Sequence, residues 1–225
     1  MKFKILENVE TKTPLICYDT ETGDQIESDE SLLLRHAIFN YKINDDGSLN
    51  VFNSFRKYNK GLNYIPFEFN YVGGDFSCSN INLKSLKGAP EYVGGDFSCS
   101  NNNKLESLKG APSYIGGDFE CHYSKLPDLK GAPDYVGGYF DCSNNNLTSL
   151  KGAPSYIGGC FYCRHNNLPD LEGGPISVGG NFYCHSNNLE SLKGFPEYVG
   201  GDFECYRNNN NLTDIRNSFI EGYWY

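Results

Sequence analysis

Leu147 to Leu168 reads L-T-S-L-K-G-A-P-S-Y-I-G-G-C-F-Y-C-R-H-N-N-L, and with small changes the same stretch recurs along most of the chain. Its F-x-C centre places cysteine at Cys78, Cys99, Cys121, Cys142, Cys163, Cys184 and Cys205, with spacings of 21, 22, 21, 21, 21 and 21 residues. A fixed period of this length is the signature of a solenoid. One unit cannot bury its own apolar face, so Leu147, Leu150, Pro154, Ile157, Phe161 and their equivalents are expected to pack on the units before and after. The expected fold is a repeat solenoid: a right-handed coil with one parallel β-sheet, mostly β and irregular, with little helix. Each strand is expected to centre on an F-x-C.

The seven units span residues 73–210 and are numbered here one to seven by their cysteines. Residues 47–72 keep the Gly, Pro and Val landmarks at altered spacing and read as a degenerate N-terminal repeat. Residues 1–46 carry no repeat and read as an accessory or capping segment. Within it MKFKILENV and LICYD suggest short strands, Ser31 to Asn40 suggests a helix, and Asp19 to Glu30 holds six acids and no base, a solvated turn. Residues 211–225 read as a C-terminal cap, with Phe219, Ile220, Tyr223 and Trp224 expected to cover the last Phe-Cys layer.

The 225-residue chain has a formal charge of −9, which argues against duplex nucleic acid as a partner, because such binding needs net cation to displace counterions. The start lacks a long apolar run and no stretch approaches 18 uncharged apolar residues, so no membrane association and a cytoplasmic location are expected. A monomer is favoured. The sequons at Asn146 and Asn211 fall inside the repeat and read as coincidence.

Seven of the nine cysteines hold one repeat position, two residues after Phe, and so share the inward side of a strand. They read as small apolar core residues rather than as disulfides or ligands. Cys160 and Cys163 form a C-x-x-C, but an offset of three sends their side chains to opposite faces of a strand, which defeats shared zinc ligation. His122 and His165 lie two strands apart, about 10 Å, too far for one zinc ion. No G-x-S-x-G, phosphate-binding loop or H-E-x-x-H is present. No catalytic residue, metal site or cofactor is expected, and the chain is expected not to be an enzyme.

The unit V-G-G-x-F-x-C-x-x-N resembles the leucine-rich-repeat signature, with Phe and Cys in place of the strand leucines and Asn102, Asn145, Asn166, Asn187 and Asn208 at its asparagine; Ile81 and Ser124 depart from it. The stretch from Leu147 to Leu168 looks like the short leucine-rich repeats of bacterial effectors. It is closer to the G-A-P-x-x-V-G-G-x-F-x-C-x-x-N-x-L arrays of large tailed bacteriophages, over roughly Leu49 to Ile215. The resemblance implies a leucine-rich-repeat-like coil and a phage-encoded protein acting in the host cytoplasm. It says little about activity, since repeat architecture hosts many functions.

Function is therefore read from the positions that vary. The outward residues beside Phe and Cys are Asp75, Asp96, Asp118, Tyr139, Cys160, Asn181 and Asp202 before Phe, and Ser77, Ser98, Glu120, Asp141, Tyr162, Tyr183 and Glu204 after it. Ser79, Ser100, His122, Ser143, Arg164, His185 and Tyr206 follow Cys, and then Asn80, Asn101, Tyr123, Asn144, His165, Ser186 and Arg207. Repeats one and two repeat an identical Asp-Phe-Ser-Cys-Ser-Asn, whereas repeats three to seven change it. Aromatic and arginine side chains on a rigid sheet are what interface hot spots are made of. Expected partner-binding residues are Glu120, His122, Tyr139, Asp141, Tyr162, Arg164, Tyr183, His185, Tyr206 and Arg207, and the expected function is a non-enzymatic protein-binding module for a host protein, with a defence component as one candidate. Two alternatives are an acidic decoy that mimics nucleic acid, suggested by the Asp file, and a nucleotide or sugar binder using the aromatic ladder. The Asp file also suits side chains that bond backbone at the Gly-Gly turn. Lys87, Lys109, Lys130, Lys151 and Lys193 form a solvated rim interrupted by Glu172.

Overall fold

A Gly-Gly step between Val and Phe bends each coil, and the bend divides every repeat into two short strands on two different faces. The computed structural model describes residues 40–56 and 63–209, together with the backbone of the strands Phe3–Lys4, Ile16–Asp19, Gln25–Ser28 and Phe219–Ile220. Phe55–Arg56, Phe76–Ser77, Phe97–Ser98, Phe119–Glu120, Phe140–Asp141, Phe161–Tyr162, Phe182–Tyr183 and Phe203–Glu204 form an eight-stranded parallel sheet, the Phe sheet. A ten-stranded sheet, the Tyr sheet, runs from Tyr41–Ile43 through strands such as Tyr114–Ile115 and Tyr135–Val136 to Phe219–Ile220. It is parallel except at its first pair, where Tyr41–Ile43 runs antiparallel to Leu49–Val51. Phe3–Lys4, Ile16–Asp19 and Gln25–Ser28 make a separate antiparallel sheet of three strands, the first two of which fall where the sequence suggested them.

The fold is thus a β-solenoid with no helix among the described residues, as the period implies, but it carries two parallel sheets rather than one. The physical reason lies in the glycines. An added Cβ at Gly137 would run into the carbonyl oxygen of Gly116, and one at Gly158 into that of Gly137, so only glycine lets successive coils close up at the bend. The backbone stays paired there, with Gly137 N–H donating to Ile115 O at 2.9 Å and Gly138 N–H to Gly117 O at 2.8 Å. Hydrophobic alternation alone reads straight through such a bend.

Phe, Cys, Val or Ile and two leucines from each coil form one continuous buried cluster. The phenylalanines of neighbouring repeats sit 4.8–5.7 Å apart between ring centroids from Phe76 to Phe203. The seven file cysteines are free and buried, and burial pushes the thiols of Cys99, Cys121, Cys142, Cys163 and Cys184 well above their usual range, as befits packing residues. Cys160 is half-buried while Cys163 is buried, on opposite sides of the strand.

The asparagine file satisfies the backbone where each coil leaves the Phe sheet. Asn145 Oδ1 accepts from the backbone N–H of Ser124 and of Leu126, both at 3.0 Å, and its Nδ2 donates to the carbonyls of Cys121 and Cys142, both at 3.0 Å. Asn102, Asn166, Asn187 and Asn208 repeat this bridge between coils. Ser124 fills one gap in the file, its Oγ accepting from Asn102 N–H at 3.2 Å. The G-A-P segment makes the expected single turn, with Gly152 at φ 97° and Ala153 N–H donating to Leu150 O.

Below repeat one lies a further rung. Phe55 pairs with Phe76 and stacks on it at 5.0 Å, and Val51 pairs with Val72. At the top, Phe219–Ile220 adds to Tyr198–Val199. The helix expected over Ser31 to Asn40 lies almost entirely outside the described residues, as do the side chains of Phe219, Ile220, Tyr223 and Trp224.

Candidate functional site

Along the Phe sheet the alternation turns Phe and Cys inward and leaves Ser77, Ser98, Glu120, Asp141, Tyr162, Tyr183 and Glu204 half-buried on the outer face. Parallel in-register pairing sets them one above the next, for example Glu120 beside Asp141 and Tyr162 beside Tyr183. The column before Phe serves the stack itself. Asp75 Oδ1 accepts from Asp96 N–H at 3.1 Å, Asp96 Oδ1 from Asp118 N–H at 2.9 Å, and Asp118 Oδ1 from Tyr139 N–H at 2.7 Å. Cys160 Sγ and Asn181 Oδ1 continue the ladder to Asn181 and Asp202 at 3.3 and 2.9 Å. The aspartates do bond backbone, as suspected, but that of the next coil.

From repeat three onward the face becomes a connected cluster. The Tyr139 hydroxyl donates to the Glu120 carboxylate, and Ser98 Oγ donates to the same carboxylate at 2.9 Å. Tyr139 meets Tyr162 edge-on at 5.8 Å, and Tyr162 stacks on Tyr183 at 4.7 Å with planes 3° apart. Arg164 lies over the Tyr162 ring at 5.3 Å, and Asn181 Nδ2 donates to the Tyr183 hydroxyl at 2.7 Å. His165 meets His185 at 5.3 Å, His185 stacks on Tyr206 at 4.4 Å, and Arg207 lies over Tyr206 at 5.9 Å. Burial, and then the Glu120 carboxylate, raises the Tyr139 hydroxyl well above its usual value. The Tyr162 hydroxyl is pushed up to about 12 by burial first and by the Cys160 thiol next.

Nine of the ten residues picked from sequence are half-buried or exposed; His185 is not. It is only 6% exposed, wedged between His165 and Tyr206. Alternation places the residue after Cys outward, yet Ser100, Ser143 and His185 are buried there, Ser100 against His122 and His185 between its two ring neighbours. The His185 pKa is pushed down to about 4, by burial first and then by Arg164, His165 and Arg207. A histidine harder to protonate folded than unfolded leaves stability untouched above 6.5 and removes it as pH falls between 6.5 and about 4. Urea unfolding of His185→Gln is expected to lose that part of the pH dependence. Curves for the two proteins that stay parallel across the window would show that the ring titrates normally in the folded state.

Ser100, His122 and Asp141 bring hydroxyl, imidazole and carboxylate together, at 3.1 Å from Ser100 Oγ to His122 Nδ1 and 3.5 Å from that same Nδ1 to Asp141 Oδ2. Both partners address one nitrogen, so the ring cannot relay a proton between them, and Ser100 is only 2% exposed.

The next column holds a feature that strand alternation does not reveal. Asn80, Asn101, Tyr123, Asn144, His165, Ser186 and Arg207 all adopt φ of 54–58°. Asparagine tolerates this left-handed conformation, whereas for most L-residues it costs about 1–2 kcal/mol. Repeats three, five and seven nonetheless carry Tyr, His and Arg there.

Two other surfaces recur with the period. Lys87, Lys109, Lys130, Lys151 and Lys193 are exposed, and in each case a Ser or Asp two residues earlier accepts the lysine's backbone N–H. On the Tyr sheet, Tyr71, Tyr92, Tyr114 and Tyr135 stack at 5.1, 4.7 and 4.9 Å with planes 12°, 3° and 11° apart. That stack has a sequence signal, a Tyr at one fixed repeat position beside an inward Val or Ile, and its ring faces cover one another so that edges and hydroxyls meet solvent.

Comparison with family models, with curated proteins and with solved structures finds no match to this chain.

Proposed function

We propose that the chain is a non-enzymatic interaction module that holds a protein partner on the Phe-sheet face of repeats three to seven. The observation that carries this reading is the left-handed column. Folding favours Asn there, and repeats one, two and four have it. Tyr123 and Arg207 burden the turn with backbone strain and give the core nothing, and strain of this kind gathers where a surface has a task. The adjoining tyrosines supply contact area at low entropy cost.

The acidic-decoy reading is weaker, because Asp75, Asp96 and Asp118 already spend an oxygen on the next coil's backbone. A nucleotide or sugar binder needs open ring faces, whereas Tyr162 is covered by Tyr183 and Arg164, and Tyr206 by His185 and Arg207. The resemblance to phage arrays adds a further element to the proposal: the partner is a host protein met in the host cytoplasm.

The test is affinity capture from host lysate followed by titration of the purified partner. Tyr162→Ala with Arg164→Ala is expected to stay folded, with only the small loss that its ring contacts imply, and to lose more than about 2 kcal/mol of binding. Binding that survives this change and is lost on altering Lys109, Lys130 and Lys151 would move the working surface to the lysine rim.

A further inference from the structure

On the Tyr sheet one side chain recurs at one position of successive coils, and in-register parallel pairing sets Tyr71 beside Tyr92, Tyr92 beside Tyr114 and Tyr114 beside Tyr135. Their rings lie 5.1, 4.7 and 4.9 Å apart, with planes 12°, 3° and 11° from parallel. Near-parallel rings in register bring like atoms beside like, so the carbons flanking each hydroxyl face their counterparts on the next ring. Tyr92, Tyr114 and Tyr135 are each more than a third exposed. The phenols also sense one another: burial first, then Tyr114 and Tyr71, raises the Tyr92 hydroxyl above its usual value. The stack ends at Tyr135, for Tyr156 is 60% exposed without a ring contact among the described residues, and repeat six has Ser177 at that position.

We propose that Tyr71, Tyr92, Tyr114 and Tyr135 form a modification site, at which one-electron oxidation joins neighbouring coils through dityrosine bonds. An oxidant of the peroxidase and hydrogen peroxide class completes the balance. It takes one electron from each of two neighbouring phenols, and each phenol releases its hydroxyl proton to water. The two radicals form a carbon–carbon bond between ring positions ortho to the hydroxyls, and the hydrogen on each of those carbons moves to the phenol oxygen as aromaticity returns. Two hydrogens are lost per bond, and one peroxide becomes two waters. Stacking serves this step because a radical on one ring has its reaction partner beside it, and rings open to solvent on one edge are free to turn into bonding geometry. Each bond spans 21 or 22 residues and restricts the unfolded chain as a disulfide over such a loop does. The Tyr162–Tyr183 pair is stacked as closely but is held back from this chemistry. Asn181 holds the Tyr183 hydroxyl, burial and then the Cys160 thiol keep the proton on Tyr162, and that thiol is placed to return a hydrogen atom to a Tyr162 radical.

The test adds peroxidase and hydrogen peroxide to the intact chain at high dilution and reads the products by dityrosine fluorescence and by mass spectrometry of tryptic peptides. Lys87, Lys109 and Lys130 separate the four tyrosines, so each leaves on its own peptide unless a bond joins two of them. The expected result is a monomer that yields linked peptides for Tyr71 with Tyr92, Tyr92 with Tyr114 or Tyr114 with Tyr135, each lighter by two hydrogens than its parts. Tyr92→Phe/Tyr135→Phe keeps every ring in the stack but leaves no two phenols adjacent, and it is expected to lose the linked peptides and most of the fluorescence. Tyr162→Phe/Tyr183→Phe is the control and is expected to retain both. No dityrosine, dityrosine only between separate chains, linkage confined to Tyr162 with Tyr183, or undiminished fluorescence in Tyr92→Phe/Tyr135→Phe would each overturn the proposal.

Discussion

Phe140→Ala is expected to lower the unfolding free energy by about 3–5 kcal/mol. The ring is fully buried and lies between Phe119 at 4.8 Å and Phe161 at 5.7 Å. Its removal opens a void at two interfaces at once, since each coil is stabilised by both of its neighbours. The site cannot collapse to fill that void, because the coil is fixed by pairing in both sheets, Phe140 with Phe119 and Phe161, and Val136 with Ile115 and Ile157. Cys142→Ala, two residues along the same strand, removes a single sulfur and is expected to cost about 1 kcal/mol. Urea unfolding of both variants decides the matter. Equal and small losses would mean that the Phe file does not hold the coils together.

Asn166→Ala is expected to cost about 4 kcal/mol, although it removes only a small polar side chain. Asn166 Oδ1 accepts from Asn145 N–H at 3.2 Å and Leu147 N–H at 3.1 Å, and Nδ2 donates to Cys142 O at 3.1 Å and Cys163 O at 3.0 Å. Alanine leaves the Asn145 and Leu147 N–H groups without an acceptor, while the carbonyls of Cys142 and Cys163 keep Asn145 Nδ2 and Asn187 Nδ2, and each unsatisfied buried group costs about 1–3 kcal/mol. Ser124 marks the tolerated substitute, for its hydroxyl accepts from Asn102 N–H and lies within reach of the carbonyls of Cys99 and His122. Asn166→Ser is therefore expected to fall between wild type and alanine in the same unfolding measurement. An alanine variant as stable as wild type would show that water takes over the bridge.

The period, the Phe-Cys core and the asparagine file are legible in the sequence because each is a property of one coil repeated. What lies hidden depends on how coils meet. Gly137 and Gly158 are needed for close approach to the coil before, so their role, and with it the second sheet, appears only when neighbours are in place. The rung at Phe55 lacks an F-x-C, carrying Lys57 where cysteine belongs, and only the V-x-x-x-F spacing from Val51 betrays it. The aspartate column looked like a charged face, but its bonds run along the stack to Asp96, Asp118 and Tyr139. At the site, period-2 alternation places Tyr139, Tyr162 and Tyr183 outward. It does not show which outward positions the neighbouring coils cover, as His165 and Tyr206 cover His185, nor that the next column is left-handed and not an ordinary strand position.

The molecule presents exposed tyrosines on two faces, and this makes one measurement decisive for the claim that repeats three to seven hold a partner. Hydroxyl-radical footprinting, read by mass spectrometry, reports the access of each tyrosine with and without the captured partner. Protection is expected at Tyr139, Tyr162, Tyr183 and Tyr206 on the Phe sheet, with Tyr92, Tyr114, Tyr135 and Tyr156 on the Tyr sheet oxidised as before. Protection of the Tyr-sheet stack with the Phe-sheet tyrosines unchanged would contradict the account.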